Sequence, residues 1–211
     1  MKGLSDCRVK YGPWLRDALK RWEGLGIFRG DDVTCYGQRG GGRGPGWLHA
    51  LYDPVSAIDL DKFTKSNHFL NKYSYIEFLH EYNGADLFSD ALSLYGLHIL
   101  TSDRCTFSAA RIPTDLVSEN IGFSDYLDKY DGIIIGSSTL VSPALFMEIS
   151  GGGVISVERP DSTHEPPVCI RGEWASFDDF FFGEVTRLNS CFGAEGEYLG
   201  LFSSGPSRQV V

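Results

Sequence analysis

A chain of 211 residues, of which 42% are hydrophobic and 22% charged, has the length and composition of one substantial globular domain, and this excludes disorder throughout. Its formal net charge of −9, from 28 acidic and 19 basic residues, argues against nucleic acid and anionic membrane as partners, because both require an electropositive face. The charge favours either a basic partner or an acidic surface that only keeps the protein soluble. The five cysteines are odd in number and form no Cys-x-x-Cys pair, and no run approaches roughly 18 apolar residues, so we expect reduced thiols, no secretion signal or membrane span, and a cytoplasmic location.

The N-terminal part of the chain carries one helix pattern and one glycine-rich stretch. Pro13 at a first-turn position, with apolar residues along one side of residues 13–22, predicts a short amphipathic helix. Residues 37–46, GQRGGGRGPG, predict an exposed loop or linker at which a domain boundary could lie. We therefore divide the chain into three parts: residues 1–46, which either extend the fold or stand outside it, a main domain over 47–188, and a tail over 189–211.

Two helices are predicted between residues 56 and 82. The first covers residues 56–65 and turns three apolar side chains inward: Ile58, Leu60 and Phe63. The second begins at Ser74, because a serine followed three residues later by Glu77 forms a capping box that satisfies two N-terminal N–H groups. The apolar positions of this second helix form one stripe at helical spacing: Tyr75, Phe78, Leu79 and Tyr82. Burial of the stripe would contribute on the order of 6–12 kcal/mol before entropy is subtracted, so we expect it to be core rather than a ligand platform.

The chain is predicted to reverse direction directly after this stripe. Asn83 and Gly84 are the two residue types that best tolerate the left-handed backbone at a helix C-terminus. A second apolar segment follows and ends at Gly96. Its apolar members are Leu87, Phe88, Leu92, Leu94 and Tyr95.

The C-terminal half predicts strands and one long helix. A run of three isoleucines over 133–135, bounded by Gly132 and Gly136, predicts a buried strand. Residues 145–149 and 154–157, joined by a glycine-rich turn, predict a β-hairpin. A second capping signal, Ser176 with Asp179, begins a helix whose apolar face comprises Phe177, Phe181, Val185 and Leu188.

The sequence contains fragments of catalytic motifs, and each lacks an essential part. The glycines at 40–46 lack the Gly-Lys-Ser/Thr ending of a phosphate-binding loop and fit no Gly-x-Gly-x-x-Gly pattern, so we do not expect them to bind phosphate. His80-Glu81 begins like a zinc-protease motif, but the position of the second histidine is Gly84. Asp178 and Asp179 fall in the first turn of a predicted helix, where negative charge complements the macrodipole. We therefore expect no catalytic, cofactor-binding or metal-binding residues.

Three stretches together resemble a known family. The segment FLHEYNGADLF, followed within about ten residues by LYG (94–96), resembles the signature of the SMI1/KNR4 (SUKH) superfamily, whose best-known members are bacterial immunity proteins. YDGIIIGSS (130–138) with FMEISGGGVISVER (146–159) is similar to that family's central sheet, and WASFDDFFFGEV (174–185), which begins at Trp174, is similar to its C-terminal helix. The resemblance implies a single α+β domain in which helices flank a twisted, mostly antiparallel sheet.

The same resemblance implies a non-enzymatic protein that binds and occludes a cognate toxin with a basic surface, for example a nuclease. Five aspartates near predicted turns then become candidates for contacting the toxin: Asp86, Asp90, Asp125, Asp128 and Asp131. Two alternatives remain open, a regulatory or scaffolding module of the same fold and a small enzyme with an unrecognised site. The identity of the toxin and the oligomeric state are not encoded in any recognisable pattern.

Overall fold

One antiparallel β-sheet organises the chain. A computed structural model describes the following residues: 10–39, 46–98, 112–123, 127, 130–140, 143–158 and 170–200. Within this part of the chain, nine strands form a single open sheet whose spatial order is the order of the chain, and every neighbouring pair is antiparallel. The predicted α+β class and antiparallel sheet are therefore confirmed.

The strands of the sheet are β1 (Ile27–Arg29), β2 (Val33–Arg39), β3 (Gly46–Tyr52), β4 (Ala85–Leu87), β5 (Leu92–Leu94), β6 (Gly132–Ser138), β7 (Ala144–Ile149), β8 (Val154–Glu158) and β9 (Ile170–Trp174). The edge strand β1 and the two strands β4 and β5 near the centre of the sheet have three residues each, and the other strands have five to seven. The described α-helices are α1 (Tyr11–Leu19), α2 (Ala57–Ser66), α3 (Tyr75–Leu79), α4 (Leu116–Gly122) and α5 (Phe177–Cys191). Two 3₁₀ helices cover Lys20–Leu25 and His68–Lys72.

The glycine-rich stretch is a hairpin connection within the sheet. β2 runs to Arg39, β3 begins at Gly46, and these two residues are partners in the register of the pair. The prediction of a loop over 37–46 was therefore wrong for residues 37–39 and 46, because strand pairing overrides the weak strand preference of glycine. Residues 40–45 lie outside the described part. β1 and β2 thus join the same sheet as β3.

Helices α1, α3 and α5 share one face of the sheet. Phe146 and Glu148 stand two apart on β7 and so project from the same face. The Phe146 ring lies 4.6 Å from the Phe180 ring of α5, whereas Glu148 reaches the N-terminus of α3. Tyr11 of α1 makes edge contacts with both neighbouring helices, at 5.6 Å from Phe78 and 5.4 Å from Phe181. The layer is an interlocked set of aromatic rings.

The predicted apolar stripe lies in this layer. All four of its side chains, Tyr75, Phe78, Leu79 and Tyr82, are buried. The helix over 56–65 also forms, as α2, but only part of its predicted face points inward. Leu60 is buried and Phe63 is half-buried, whereas Ile58 is 68% exposed. The inward placement of Ile58 was therefore wrong, because the face of α2 that packs is centred on Leu60 and Thr64.

The turn after α3, at Asn83 and Gly84, packs directly against the LYG segment. Gly84 adopts a φ of 92°, and a β-carbon there would lie 2.7 Å from the carbonyl oxygen of Leu94. The Asn83 amide accepts from Leu97 N at 2.6 Å and donates to Leu97 O at 3.0 Å, which replaces a stretch of strand pairing. A β-carbon on Gly96 would meet the Asn83 carbonyl oxygen at 2.2 Å. The Asn-Gly reversal and the distant LYG glycine thus depend on each other.

The predicted C-terminal elements form as expected. The isoleucine run lies in β6 and is buried, and β7 and β8 form the predicted hairpin, with positive φ at Gly151 and Gly152. Ser176 caps α5 by accepting from Asp179 N at 3.1 Å. Trp174 packs against Phe146 and Phe180, and the inward face of α5, which includes Phe177 and Phe181, is buried.

The segment that follows α5 turns back onto the domain. Trp22 Nε1 donates to Gly193 O at 2.9 Å, and Phe192 forms an isolated antiparallel bridge with Tyr198. Residues 189–191 of the predicted tail therefore belong to α5, and the segment after them is tied to the domain through Gly193. Residues 201–211 lie outside the described part. None of the described helices is long and apolar enough to cross a membrane.

Candidate partner-binding surface

The N-terminus of α3 is capped by a carboxylate from the sheet. Ser74 makes no side-chain cap bond to its own helix; its N–H and hydroxyl donate to Glu148 Oε1 at 2.7 and 2.6 Å, and Tyr75 N donates to Glu148 Oε2 at 2.9 Å. The predicted capping box with Glu77 was therefore wrong, and Glu77 is exposed. Burial raises the pKa of Glu148, while the hydrogen bonds from Ser74 and Tyr75 act in the opposite direction.

A second carboxylate caps α1 in the same manner. Glu81 accepts from three consecutive backbone N–H groups, those of Lys10 at 2.6 Å, Tyr11 at 3.1 Å and Gly12 at 2.7 Å. Asp178 accepts from the Tyr11 hydroxyl at 2.8 Å and from the Lys10 ammonium. Burial and the hydrogen bond to Asp178 raise the pKa of Tyr11. Glu81, just after α3, and Asp178, in the first turn of α5, therefore both hold the start of α1 in place.

Two further buried titratable residues, Glu184 and His49, are held by contacts within the fold. Glu184 on α5 is paired with the Arg187 guanidinium, whose Nε donates at 2.8 Å. His49 on β3 is fully buried between Trp22 and Phe88, whose rings lie 4.8 and 4.7 Å away, and its Nδ1 accepts from Phe88 N at 3.3 Å. Burial, together with the positive charge of Arg21, lowers the pKa of His49 to about 3. In the part of the chain that is described, no group of three His, Cys, Asp or Glu side chains could hold a metal ion.

Asp86 lies on the sheet face away from α3 and α5. The cross-strand row that contains it runs Ala50, Asp86, Ser93, Ser137 and Leu145. Leu145 precedes Phe146, which faces the helices, so this row projects from the opposite face. The Tyr52 hydroxyl donates to Asp86 Oδ2 at 2.6 Å. Asp86 is thus half-buried beside the small cluster formed by Val33, Cys35, Ala50 and Tyr52.

Asp90 belongs to a left-handed turn between β4 and β5. Three consecutive residues that are not glycine have positive φ: Phe88 at 57°, Ser89 at 55° and Asp90 at 66°. Neighbouring groups hold the turn, because Ser89 N donates to Leu48 O at 2.7 Å and Thr139 Oγ1 donates to Asp90 O at 2.9 Å. Side chains in this region each cost about 1–2 kcal/mol, so the turn is strained and kept rigid by its surroundings.

Asp131 lies far from Asp90 although both flank β6. Asp131 directly precedes Gly132 at the start of the strand, whereas the contact of Asp90 with Thr139 lies just beyond its end. Seven strand residues at about 3.3 Å each place the two aspartates roughly 20 Å apart. Asp131 is exposed, and its hydrogen bond from Lys72 lowers its pKa. Asp125 and Asp128 lie outside the described residues. The structure therefore does not gather Asp86, Asp90 and Asp131 into one patch.

A groove beside α4 was not anticipated from the sequence. It has a volume of about 290 Å³ and lies between the segment that follows α2 and the inner face of α4. We call it the α4 groove; its lining residues are Asn67, Leu70, Leu116, Val117, Asn120, Ile121 and Leu127. Asp115 begins α4 by accepting from Ser118 N at 3.0 Å, a local capping pattern that could have predicted this helix and thus its exposed Ile121.

A second groove lies between α1 and α5. It has a volume of about 310 Å³ and a mixed lining: Trp14, Asp17, Ala18, Thr186, Asn189 and Ser190. Among the described residues that line the two grooves, Asp17 is the only titratable one, so these residues do not combine the acid, base and nucleophile of a reaction site.

Comparison with known proteins identifies no relative: no protein-family model, curated protein or solved structure matches the chain.

Proposed function

We propose that this chain is an immunity protein of the SMI1/KNR4 type, which binds a bacterial toxin and occludes it. The observation that carries the proposal is the contact between the motif pieces on which the resemblance depends. Gly96 of the LYG piece lies against the carbonyl of Asn83 in the FLHEYNGADLF piece. Tyr75, which begins α3 three residues before that piece, donates its hydroxyl to the carbonyl of Tyr95. Residues spread over positions 75–96 thus pack as one structural unit, which supports treating the two pieces as a single motif.

The proposed mechanism is occlusion, in which no bond is made or broken. Glu148 and Glu81 each hold the N-terminus of a helix, which favours a rigid scaffold and lowers the entropy cost of binding. The net charge of −9 favours a basic partner, such as a nuclease whose cleft binds an anionic substrate. Asp86, Asp90 and Asp131 lie too far apart to act as one cluster, so under this proposal charge acts on the encounter and close packing acts on the lifetime of the complex.

The proposal is tested with candidate toxins taken from the genes that flank this one. Co-expression should restore the growth of cells that produce the toxin, and the two proteins should co-purify. Association should slow markedly between about 50 and 500 mM salt, because a Debye length of about 10 Å at 0.1 M screens long-range attraction. A tight complex whose association rate ignores salt would remove the electrostatic part only. Absence of both rescue and co-purification would contradict the proposed function and favour a regulatory interaction module.

A further inference from the structure

A titratable side chain holds the left-handed turn between β4 and β5 against β3. Phe88, the first residue of this turn, donates its N–H to His49 Nδ1 at 3.3 Å, and Ser89 N donates to Leu48 O at 2.7 Å. Phe88, Ser89 and Asp90 all have positive φ, which is unfavourable for residues other than glycine. The closed turn therefore depends on bonds to β3 that offset its strain, and an imidazole makes one of them.

The bond to Phe88 fixes the state of the imidazole. Because the Phe88 N–H donates, Nδ1 must be unprotonated, and the single proton of the neutral ring is on Nε2. Within the part of the chain that is described, Nε2 has no hydrogen-bond partner. His49 is fully buried between the rings of Trp22 and Phe88. The ring thus contributes to the turn through one nitrogen, and that nitrogen acts as an acceptor.

A protonated His49 is incompatible with the closed turn. The imidazolium carries an N–H on both nitrogens, so Nδ1 would become a donor that faces the Phe88 N–H, 3.3 Å away. Two donors cannot form a hydrogen bond with each other. The charge would also lie between aromatic rings, where burial without a hydrogen-bonded partner is costly. A proton on His49 therefore removes the bond that holds Phe88.

The charge that acts on His49 opposes its protonation. Arg21 lies over the Trp22 ring, 3.8 Å from its centroid, and its positive charge lowers the pKa of His49. Glu197 acts on Arg21, and burial raises the pKa of Tyr36, the cross-strand partner of His49, so that this phenol stays neutral. The charged or titratable side chains next to the contacts of His49 are Arg21 and Glu23 in the 3₁₀ helix, Tyr36 and Arg39 in β2, Asp90 in the turn and Glu197 after α5.

We propose that the turn of Phe88, Ser89 and Asp90 is an acid-sensitive switch, which closes over neutral His49 and opens when His49 takes up a proton. Opening relaxes the left-handed backbone and exposes Phe88. In the closed turn Phe88 is fully buried, and its ring lies 5.7 Å from that of Trp22 and 5.3 Å from that of Phe192. Mild acid thus turns a covered corner of the sheet into an apolar patch. The inference does not depend on the proposed function, and either can fail without the other.

The direction of the pH effect follows from the two states of His49. Its pKa is about 3 in the closed turn, and we expect the ordinary value of 6.5 once the turn is open and the ring is hydrated. Opening therefore takes up a proton between these two values. The equilibrium constant for opening is constant above about pH 6.5 and rises about tenfold for each pH unit below it. At pH 5 this constant should be about 30-fold higher than at pH 7.5.

Amide hydrogen exchange of the full-length protein, followed by ¹⁵N NMR at about pH 7.5 and pH 5, tests the switch. Protection factors, which correct for the effect of pH on the intrinsic exchange rate, are compared for Phe88 N, Ser89 N and the amides of β7. We expect protection at Phe88 and Ser89 to be about 30-fold lower at pH 5. About 1 M urea should leave their protection unchanged, because a local opening exposes little surface, and should reduce the protection of the β7 amides.

Two variants separate the effect of the proton from that of the strain. The side chain in His49→Gln does not titrate, so the ratio of protection between the two pH values should fall from about 30 to about 1 at Phe88. Ser89→Gly retains His49 and relieves the strain at one of the three positions. It should raise the protection of Phe88 N about twofold to fivefold at both pH values and leave the ratio near about 30.

Four results would overturn the proposal. Equal protection of the turn and the β7 amides, with the same response to urea, would show that the turn opens only when the whole protein unfolds. A wild-type ratio near about 1 would show that the turn is not coupled to a proton, and a ratio near about 30 in His49→Gln would assign the proton to another group. Lower protection in Ser89→Gly would show that the turn is not strained. Because the first two results come from the wild-type protein alone, the test does not require His49→Gln to fold.

Discussion

Glu148 accepts hydrogen bonds from both the backbone N–H and the hydroxyl of Ser74, 74 residues away in the chain. The bonds join β7 to the start of α3 and fix the helix on the sheet. Glu148 also accepts from Tyr75 N, and both of these residues are fully buried, so loss of that bond leaves a buried donor without a partner.

We predict that Glu148→Gln destabilises the protein by on the order of 3 kcal/mol, because an amide presents an NH₂ group toward donors and lacks the charge that strengthens the bonds. The matched control is Glu77→Gln, which changes the exposed residue that sequence pattern pairs with Ser74, and it should alter stability by less than about 0.5 kcal/mol. Urea unfolding at pH 7 measures both values. Equal losses of unfolding free energy in the two variants would contradict the assignment of Glu148, rather than Glu77, as the partner of Ser74.

His49 should make stability depend on pH. Its pKa is lowered to about 3 in the folded protein from a usual value of 6.5, so between these values the unfolded chain binds the extra proton. Stability is therefore fully present above about pH 6.5 and falls as the pH decreases, by about 1.4 kcal/mol per unit, or about 2 kcal/mol at pH 5. His49→Gln removes this titration. Unfolding free energies of both proteins at pH 7 and pH 5 should show a shallower decline in the variant, and parallel declines would contradict the assignment.

The left-handed turn predicts an unusual gain in stability. Ser89→Gly should raise the unfolding free energy by roughly 0.5–1 kcal/mol, because glycine adopts a φ of 55° without steric cost, partly offset by loss of the bond from Arg39 to the serine hydroxyl at 3.1 Å. Ser93→Gly, in β5, is the control and should lower it by roughly the same amount. Melting temperatures of the two variants should move in opposite directions. A decrease in both would show that the turn stores no strain.

The glycine of the LYG segment should be intolerant of a methyl group. Gly96→Ala would place its β-carbon 2.2 Å from a backbone oxygen that cannot rotate away, at a predicted cost of about 3 kcal/mol or more. Gly122→Ala, at the end of α4, meets no atom within 4 Å and should be neutral or slightly stabilising. Thermal unfolding of both proteins provides the comparison, and a Gly96→Ala protein as stable as wild type would refute the packing described for the Asn83 reversal.

Sequence reasoning succeeded where donor and acceptor are close in the chain. The Ser176 cap was predictable because its partner, Asp179, lies three residues away, and the β7–β8 hairpin was predictable because four residues connect its strands. The strand at the isoleucine run was predictable because β-branched side chains between glycines leave few alternatives.

The same reasoning failed where a distant residue decides the outcome. Ser74 has a local partner of suitable type in Glu77, yet the buried Glu148 displaces it, and no spacing in the sequence reveals that competition. The Asn120 side chain bonds to both backbone groups of Ile134, as a neighbouring strand would. It can do so because β5 pairs with β6 only at Ser137 and Gly136. The α4 groove has the same origin, since its walls come from segments some fifty residues apart.

The contacts of α1 and of the 3₁₀ helix after it also bear on how the chain matures during translation. Tyr11 bonds to Asp178 across 167 positions, and Trp22 bonds to Gly193 across 171. Because ribosomes release the N-terminus first, these two aromatic residues gain their partners only after α5 and the residues that follow it have been made. Until then these aromatic side chains stay exposed on the nascent chain, where chaperones can bind them. A product that ends before α5 would keep this apolar surface exposed.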